Sequence, residues 1–484
     1  MLRRFREVVA AHRAITAVTV VGALVRLVVF VTYQPALEFY GDSFNYLRNA
    51  AHLSPSYNRP LGYAVTLAIA SLTDVLAVVP ATQHLAGLAL GVAIYAVLRR
   101  FGCGPALATV AAAPILLDAY QINIEQFVMA ETQFEVLLAG CFGLLLWHER
   151  PSAKACAWAG ALLAAATLTR TTGLVLIAPI VLYLVIVRVG ARRIGYLLSA
   201  FLLPLILYAG VFKIVRGKFA ITTYDGIFLY GRVGQFADCT KFDVPDYELA
   251  LCERRAPADR PGPNFYDWDP ASPRYLVKPP PGMRQADVTK DFAFRAMKAQ
   301  PGDYLKVTGS ETLHYFLPGK WSGERDWYID TWRFPTPDRR YRMPHPWHSM
   351  VATEGFGRDR VRPHIWRPAV GPLRAYQNVV YTQGPLLAAC LLAALVLAVR
   401  RGRHRNRDVW APLLLATCGL ALLVVPSATA NFDNRYVLPT LLMFPPAGAL
   451  AFARLRVARK EGVGTATVTT GGDGTATPAV AGRN

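Results

Sequence analysis

The sequence predicts an all-α polytopic membrane protein with one large extracytoplasmic segment of mixed structure. Of its 484 residues 53% are hydrophobic, and the mean hydropathy of +0.28 is higher than that of ordinary soluble chains. The chain also contains about ten apolar runs of roughly the 20 residues that a helix needs to cross a bilayer. These runs are residues 14–33, 77–98, 104–120, 130–148, 155–170, 172–188, 195–214, 378–399, 409–427 and 436–453.

The basic residues between these runs predict the topology. By the positive-inside rule, clusters on alternate connections mark the cytoplasmic side, which puts both termini in the cytoplasm of a multi-pass cell-membrane protein. The net charge of +20 is therefore mainly a topology signal, and it does not indicate a nucleic-acid partner. The clusters are Arg3 to Arg6, Arg99 with Arg100, Arg150 with Lys154, Arg188 to Arg193, Arg400 to Arg407, and Arg454 to Lys460.

The runs divide the chain into four parts. Residues 1–214 form an N-terminal transmembrane module, whose outer loop at 34–76 is expected to hold two short juxtamembrane helices. Residues 215–377 form the large extracytoplasmic segment, and 378–457 form C-terminal transmembrane helices. Residues 458–484 are a low-complexity cytoplasmic tail, predicted to be disordered. No small-residue cleavage site follows the first run, so we expect an uncleaved first helix.

Two of the seven cysteines lie together in the outer segment. Cys239 and Cys252 face a compartment that permits disulfides, and we predict that they are bonded to each other. The remaining cysteines lie in or beside apolar runs, where a small apolar filler is the simpler interpretation.

Acidic residues on the outer side, close to the membrane, are the candidates for chemistry. Asp42 stands in Gly-Asp-Ser-Phe-Asn-Tyr at the start of a short helix, where it is either an N-cap or a functional carboxylate. Glu131 and Glu135 lie one helical turn apart at the start of a run. The helix dipole explains Glu131, but Glu135 lies a turn deeper, where charges tend to be functional. Glu125 is a further acid nearby.

Basic residues are rare on the outer side of the runs. The short outer connections and the loop at 34–76 contain Arg48, Arg59, Arg170 and Arg435. Arg170 stands in Leu-Thr-Arg-Thr-Thr-Gly-Leu at a tight hairpin, where an arginine that snorkels to the interface is the alternative to a functional one. Inside the runs, His84 is interpreted as a satisfied core residue.

The order of these motifs resembles that of a known family. The chain resembles the GT-C superfamily of integral-membrane glycosyltransferases, in particular the branch of the protein O-mannosyltransferases and bacterial aminoarabinose transferases. The likeness covers about residues 10–215 and 378–455, whereas 215–377 matches no member. It rests on Asp42 with Tyr46, Arg59 with Pro60, Glu131, Arg170 to Leu174, and Arg435 to Pro439. Members commonly carry an acidic pair where this chain has Asp42 and Ser43, and whether Glu125 or Glu131 matches the second acid stays open.

The resemblance implies transfer of one sugar from a polyprenyl-phosphate carrier to an acceptor at the outer membrane face. A positioned carboxylate can take the proton of an acceptor hydroxyl, and arginines can stabilise the leaving phosphate. A single base opposite a phosphate predicts inversion at the anomeric carbon. The implied roles are general base for Asp42, second catalytic acid for Glu131, phosphate binding for Arg59, Arg170 and Arg435, and support for Tyr46, Glu125 and Tyr436.

Several points stay open at the level of sequence. A transporter or flippase of a lipid-linked substrate is the main alternative, because charges within the membrane suit it equally well, and a scaffold for envelope assembly is a third. The acceptor is a glycan, a protein or a lipid, and the sugar is a hexose or a pentose. No motif with metal-ligand spacing is present in the sequence, so no cofactor is expected, with a divalent metal as the alternative. The arginine-rich, Ala/Val/Leu-rich composition points to a bacterial envelope.

Overall fold

In the computed structural model the chain is helical along most of its length. The structure describes residues 12–39, 41–321, 331–337, 351–352, 354–357, 360–361 and 364–466. The helices of the first half are α1 (Arg13–Thr32), α2 (Ser43–His52), α3 (Gly62–Ala70), α4 (Val78–Arg100), α5 (Pro105–Leu117), α6 (Ala119–Gln126), α7 (Glu131–Leu146), α8 (Ala153–Thr169), α9 (Ile177–Ile186) and α10 (Ala191–Arg216). Those of the second half are α11 (Asp225–Gly234), α12 (Pro263–Trp268), α13 (Gln285–Ala299), α14 (Pro301–His314), α15 (Arg367–Val379), α16 (Gly384–Arg401), α17 (Arg407–Thr429) and α18 (Phe444–Ala466).

Shorter elements connect these helices. The 3₁₀ helices Thr171–Leu176 and Asn434–Leu442 lie beside the candidate site described below. Two antiparallel strand pairs are formed by β1 (Tyr33–Gln34) with β4 (His364–Ile365) and by β2 (Val351–Ala352) with β3 (Arg360–Val361). The first pair joins the end of α1 to the beginning of α15. The predicted all-α class is confirmed.

Fewer helices are long enough for a full span than the sequence has apolar runs. Five helices in the described ranges are long and apolar enough to cross a membrane, or up to seven spans if each bent helix pair counts as one. The bent pairs are Pro105–Leu117 with Ala119–Gln126 and Asn434–Leu442 with Phe444–Arg456. The difference lies in the predicted runs 130–148, 155–170 and 172–188, whose helices α7, α8 and α9 have 16, 17 and 10 residues.

The ends that carry the predicted cytoplasmic clusters contact one another. Arg407 and Arg100 both donate to the carbonyl of Trp147, and Arg454 donates to the carbonyl of Phe101. Arg407 also lies over the Phe101 ring. Three connections that are distant in sequence therefore meet at one end of the helix bundle. Beyond them α18 continues to Ala466, past the predicted start of the tail, and the rest of that tail, 467–484, lies outside the described residues.

The first part of the outer segment has a hydrophobic core of its own. Helices α11, α12 and α13 enclose buried side chains that include Tyr230, Tyr266 and Phe292. Tyr230 meets the rings of both Tyr266 and Phe292 edge-on, at 5.6 and 5.8 Å between centroids. We call residues 218–314 the outer cap. The chain after it returns to the bundle, where Trp332 and Phe334 are buried among side chains of the membrane helices.

The predicted disulfide between Cys239 and Cys252 is confirmed. It closes a loop with a sequence separation of 13 beside the core of the outer cap. Among the described residues, Cys103, Cys141, Cys156, Cys390 and Cys418 are free and buried, as expected for small apolar fillers.

Replacing both Cys239 and Cys252 by Ser should destabilise the outer cap by about 3 kcal/mol, because the loop then regains its freedom in the unfolded chain. Thermal unfolding of the purified full chain measures the loss, and alkylation followed by mass analysis counts the bridged thiols. Reduction of the wild type is the matched treatment and should lower the unfolding temperature equally. A wild type in which both outer thiols alkylate without reduction contradicts the assignment.

Candidate active site

Two buried carboxylates and three arginines meet at the N-terminal ends of α2 and α7 and at the C-terminal end of α8. Arg59 donates from Nε to Oδ1 of Asp42 at 2.9 Å, and Nη1 of Arg435 donates to Oδ2 of Asp42 at 2.6 Å. The same Nη1 lies 3.7 Å from Oε1 of Glu131, which also pairs with Arg170. Asp42 and Glu131 are 3% and 1% exposed, so these charges are neutralised by one another and not by water.

Arg435 is held in place by a third carboxylate and by aromatic rings. Its Nε lies 3.1 Å from Oδ2 of Asp433. Its guanidinium lies over the rings of Phe39, Trp332 and Tyr436, at 5.3 to 5.4 Å from their centroids. Cation–π contact and ion pairing act together in such a site, and an arginine supplies both because its guanidinium is planar. We call Asp42, Glu131, Asp433, Arg59, Arg170 and Arg435 the ion-pair cluster.

Asp42 occupies the N-cap position of α2 but does not cap it. Its side chain makes no hydrogen bond to the first turn of the helix, because both of its oxygens are taken by arginines. The neighbouring Ser43 forms a local bond instead, accepting from the amide of Phe39 at 2.8 Å. The N-cap interpretation of Asp42 is therefore wrong as regards the side chain.

Backbone pairing brings Asp42 and Glu131 together. Leu37 donates its amide to the carbonyl of Gln126 at 2.9 Å, and Val128 donates to the carbonyl of Leu37 at 2.9 Å. Ser43 Oγ also donates to the carbonyl of Val128 at 2.9 Å. The outer loop after α1 is thus fastened to the extended turn between α6 and α7.

Arg170 is positioned by the close contact between α3 and α8. A Cβ atom on Gly62 would lie 2.6 Å from the carbonyl of Leu168, so only glycine permits this approach. Gln133 crosses the contact and donates to the carbonyl of Gly62 and to Oγ1 of Thr169, both at 3.1 Å. Arg170 follows with an extended backbone, which turns its side chain toward Glu131.

A cavity of about 680 Å³ opens in front of the ion-pair cluster. This size falls in the range of about 300–1,000 Å³ that is typical of small-molecule sites. Most of the cluster forms the near wall of the cavity: Asp42, Arg59, Arg170, Asp433 and Arg435, together with Tyr46 and Tyr436. Glu131 lies behind the arginines and does not line the cavity. The far wall belongs to the outer cap and includes Phe228, Trp268 and Phe294.

Burial and the charges of the cluster together set the pKa values of three side chains at the near wall. Burial acts to raise the pKa of Asp42, but Arg59 and Arg435 outweigh it and hold this pKa below its ordinary range. Burial raises the pKa of Asp433, against the effect of Arg435. Burial also raises the pKa of Tyr46 to about 12, so its phenol is neutral at physiological pH.

Glu125, the other predicted supporting acid, lies in a separate buried network. Arg26 donates to both of its carboxylate oxygens, at 2.7 and 2.8 Å, and His84 Nδ1 lies 2.9 Å from Oε2. Gln121 bridges Glu125 to Glu135, with a bond of 2.8 Å to Glu135 Oε2. Both ring nitrogens of His84 have hydrogen-bond partners, Glu125 and Gln126, as predicted for a satisfied core residue. Glu135 has Gln121 as a polar partner.

The position of Arg26 explains why α5 and α6 can bend by 43°. A helix break leaves backbone carbonyls without their usual partners, which is costly inside a membrane. Arg26 donates to two such carbonyls, those of Ile115 at 3.0 Å and Leu116 at 2.6 Å. The buried Arg26 and Glu125 thus support the bend that leads to the Leu37 pairing and to Glu131.

The structure adds residues that sequence reasoning did not select. Phe39 and Trp332 contact the guanidinium of Arg435, and the far wall of the cavity comes from the outer cap. Asp433 is an acid that the sequence already places beside Arg435, and the two side chains do pair, whereas no periodic signal marks the tryptophans. Within the described ranges, no group of three or more His, Cys, Asp or Glu is arranged to hold a metal ion.

Comparison with known proteins bears on the membrane part of the chain. Residues 59–214 match the family model described as dolichyl-phosphate-mannose-protein mannosyltransferase. No curated protein matches the chain at a significant level. The matched range contains Arg59, Glu131 and Arg170, and ends at the last turn of α10.

Two solved structures from Archaeoglobus fulgidus are similar. The oligosaccharyltransferase in complex with Zn and sulfate is 14% identical, with a TM-score of 0.40 and coverage of 93% of this chain and 50% of that one. The oligosaccharyltransferase AglB in complex with an inhibitory peptide and a dolichol-phosphate is 11% identical, with a TM-score of 0.40 and coverage of 96% and 52%. The chain spans about half the length of these two structures. Over residues 59–214 the family match agrees with the resemblance to the GT-C superfamily of integral-membrane glycosyltransferases that the motifs predicted.

Proposed function

We propose that the chain transfers one sugar from a polyprenyl-phosphate carrier to an acceptor on the outer face of a bacterial cell membrane. The observation that carries this proposal is the ion-pair cluster, in which two arginines contact a buried carboxylate at the wall of a cavity. Asp42 is assigned as general base. The positive-inside pattern supports the orientation, with both termini in the cytoplasm and the cavity outside.

The cluster suits a phosphate leaving group. Three arginines face three carboxylates in it, so their charges balance before a donor binds. In the transfer step the bond between the anomeric carbon and the phosphate oxygen breaks, and the phosphate keeps the electron pair. The acceptor oxygen bonds to the anomeric carbon, and its proton passes to Asp42. One negative charge moves from Asp42 to the phosphate, where the arginines stabilise it.

Asp42 suits the role of base better than Glu131. A carboxylate can accept about four hydrogen bonds, and Asp42 accepts three, from Arg59 and Arg435. Asp42 also lines the cavity, whereas Glu131 lies behind Arg170 and Arg435. We assign Glu131 the task of orienting these two arginines. With Asp42 as the single assigned base opposite the leaving phosphate, inversion at the anomeric carbon is expected.

Donor binding should also activate the base. Guanidinium groups bind phosphate in the same forked geometry as carboxylate. An incoming phosphate therefore competes with Asp42 for Arg59 and Arg435. Loss of these partners removes the effect that holds the pKa of Asp42 low, so the carboxylate becomes a stronger base when the donor is present.

The test uses the purified full chain in lipid nanodiscs with synthetic polyprenyl-phosphate mannose, arabinose or galactose and a bacterial envelope fraction. We expect release of polyprenyl phosphate with one of these donors, and Arg170→Gln should raise its KM about 10- to 100-fold through loss of a charge-assisted hydrogen bond. Arg48→Gln is the matched control, because Arg48 is exposed on α2 and away from the cavity. Counterflow of intact donor across proteoliposomes without sugar transfer contradicts the proposal and supports a flippase.

A further inference from the structure

The far wall of the cavity comes from the outer cap and differs chemically from the near wall. The near wall presents arginines, whereas the far wall presents aromatic rings beside amide and carboxylate groups. Its aromatic members are Phe228 from α11, Trp268 from α12 and Phe294 from α13. Its polar members include Asn264 and Asp269. The two walls therefore suit two different parts of a reaction.

Trp268 is held as a fixed surface at this wall. Tyr224 stacks on it with a centroid distance of 5.4 Å and an interplanar angle of 13°. Phe228 meets it edge-on at 5.9 Å and 67°. One face of the indole is therefore covered by Tyr224, and the uncovered part of the ring lines the cavity. An aromatic ring that is fixed in this way loses little conformational entropy when a ligand packs on it.

Phe294 lines the same cavity although it is 53% exposed. It lies two residues beyond Phe292 on α13, and Phe292 is fully buried in the core of the outer cap. The two rings therefore have opposite roles, one inside the core and one facing the cavity. An apolar ring that packs into no core but lines a concave site marks a surface for a ligand.

The polar groups around these rings select for hydroxyl groups. Asp269 Oδ2 and the remaining lone pair of Asn264 Oδ1, which already accepts from Asn431, are oxygen acceptors at this wall, and Lys290 is paired with Asp225 at 2.5 Å. A carboxylate or amide oxygen accepts a hydrogen bond from a hydroxyl, while the apolar face of a sugar ring packs on an aromatic ring. Fixed rings next to oxygen acceptors fit a carbohydrate better than a phosphate or another anion.

The construction of the wall offers no strand edge to a peptide. One mode of extended-peptide binding adds the peptide to an open strand edge. The described residues of this wall belong to α11, α12 and α13, to the turn after α12 and, at Thr222, to the segment before α11, and none of them lies in a strand. Their backbone groups are largely used within the helices.

The far wall is joined to the ion-pair cluster. Asn431, which precedes Asp433 by two residues, donates to Oδ1 of Asn264 at 3.1 Å. Residues Pro426, Thr429 and Ala430 at the end of α17 line the cavity between the two walls. An acceptor that packs on Trp268 thus lies in the same cavity as Asp42.

We infer that Phe228, Trp268 and Phe294, with Asn264 and Asp269, form the acceptor subsite, and that the acceptor is a glycan. This inference rests on the proposed function, because it assigns the second substrate of the same cavity. It commits to a carbohydrate among the acceptor classes left open by the sequence.

The test measures glycan binding apart from transfer. Full chain in lipid nanodiscs, without maltoside detergents whose sugar heads would compete, is applied to an array of mannan, arabinan, galactan and glucan oligosaccharides and of serine- and threonine-containing peptides. We expect binding to oligosaccharides of at least one class. Trp268→Ala and Phe294→Ala should weaken it about tenfold or more, as for aromatic residues at the centre of an interface, whereas Trp268→Phe should retain most of it.

Phe219→Ala is the matched control, since Phe219 is 58% exposed in the same outer cap and does not line the cavity. Because Phe294 is exposed, its replacement leaves the fold intact and keeps the test valid even if Trp268→Ala unfolds. Binding of peptides alone, absence of oligosaccharide binding, or oligosaccharide binding unchanged in Phe294→Ala overturns the inference.

Binding of polyprenyl phosphate to the same preparations separates this inference from the proposed function. Phosphate binding depends on the arginines of the near wall and should be unchanged in Phe294→Ala. If polyprenyl phosphate binds and glycans do not, the acceptor subsite is wrong and the proposed function stands. If the wild type binds glycans but not polyprenyl phosphate, the proposed function fails and the carbohydrate site remains.

Discussion

Replacing Asp42 by Asn is expected to slow sugar transfer by about 10²- to 10⁴-fold, which is the usual contribution of a general base. Asparagine keeps the size of the side chain, and its oxygen can still accept a hydrogen bond from Arg59 or Arg435. It cannot take the proton of the acceptor. The measurement is single-turnover transfer by the full chain in nanodiscs, with thermal unfolding of each variant recorded alongside.

Asp74→Asn is the control for this substitution. Asp74 lies in the same outer loop at 34–76, is exposed and does not line the cavity. Its left-handed backbone conformation is one that asparagine adopts readily, so the variant should fold and transfer as the wild type does. A folded Asp42→Asn protein that transfers sugar at the rate of Asp74→Asn contradicts the assignment of Asp42 as base.

The pH profile provides a second measurement on the same residue. Because burial is outweighed by Arg59 and Arg435, the pKa of Asp42 lies below its ordinary value of about 3.9. A lowered pKa keeps the carboxylate ionised, and the stability it contributes is present above that ordinary value and lost as pH falls through the lowered pKa. Asp42 should therefore cause no acid limb in kcat/KM above about pH 4.

In the donor complex the phosphate takes over the arginines, so the acid limb of kcat should lie at higher pH than that of kcat/KM. Coincident limbs in kcat and kcat/KM contradict the exchange of arginines between Asp42 and the phosphate.

The sequence predicts the helices well because their signal is local. Apolar runs mark each candidate span among the described residues, and the compartment predicted for the outer segment was enough to pair Cys239 with Cys252. The difference between about ten apolar runs and the five to seven candidate spans has a local cause as well. The runs at 130–148 and 172–188 begin with residues that serve the outer site: Glu131 starts α7, and a 3₁₀ turn after Arg170 precedes α9. A hydropathy scan assigns these residues to the membrane-spanning runs, whereas in the structure they lie at helix ends beside the candidate site.

The site could be predicted only as a set of residue types at outer helix ends. The contact between Arg435 and Asp42 joins residues 393 positions apart, and no local pattern encodes it. Glu125 and Glu131 are close in sequence, yet they lie in different networks, because the extended backbone at Phe127 redirects the chain between α6 and α7. The tryptophans of the outer segment carry no periodic signal that assigns them to a cavity wall or to the core.

Replacing Glu125 by Gln is expected to lower the free energy of unfolding by about 3–5 kcal/mol, because it leaves the buried charge of Arg26 without its counter-ion. Arg26 is 2% exposed and Glu125 fully buried, so water cannot compensate the loss. Gly87 faces the same pair, since a Cβ on it would lie 2.1 Å from Glu125 Oε1, so the close packing of α4 against this pair requires glycine. Thermal and denaturant unfolding of the full chain in nanodiscs measure the loss, with the exposed Glu149→Gln as control.

Combining Arg26→Leu with Glu125→Gln should recover part of this loss, because the unpaired charge is removed as well. The recovery is incomplete, since Arg26 also satisfies the carbonyls of Ile115 and Leu116 at the bend, and unsatisfied buried carbonyls cost about 1–3 kcal/mol. The double variant should therefore lie between the wild type and Glu125→Gln. If it is as unstable as Glu125→Gln alone, the charge of Arg26 is not the source of the loss. In that case the carboxylate of Glu125 stabilises the bend through His84 and Gln121, and the bend does not depend on the ion pair with Arg26.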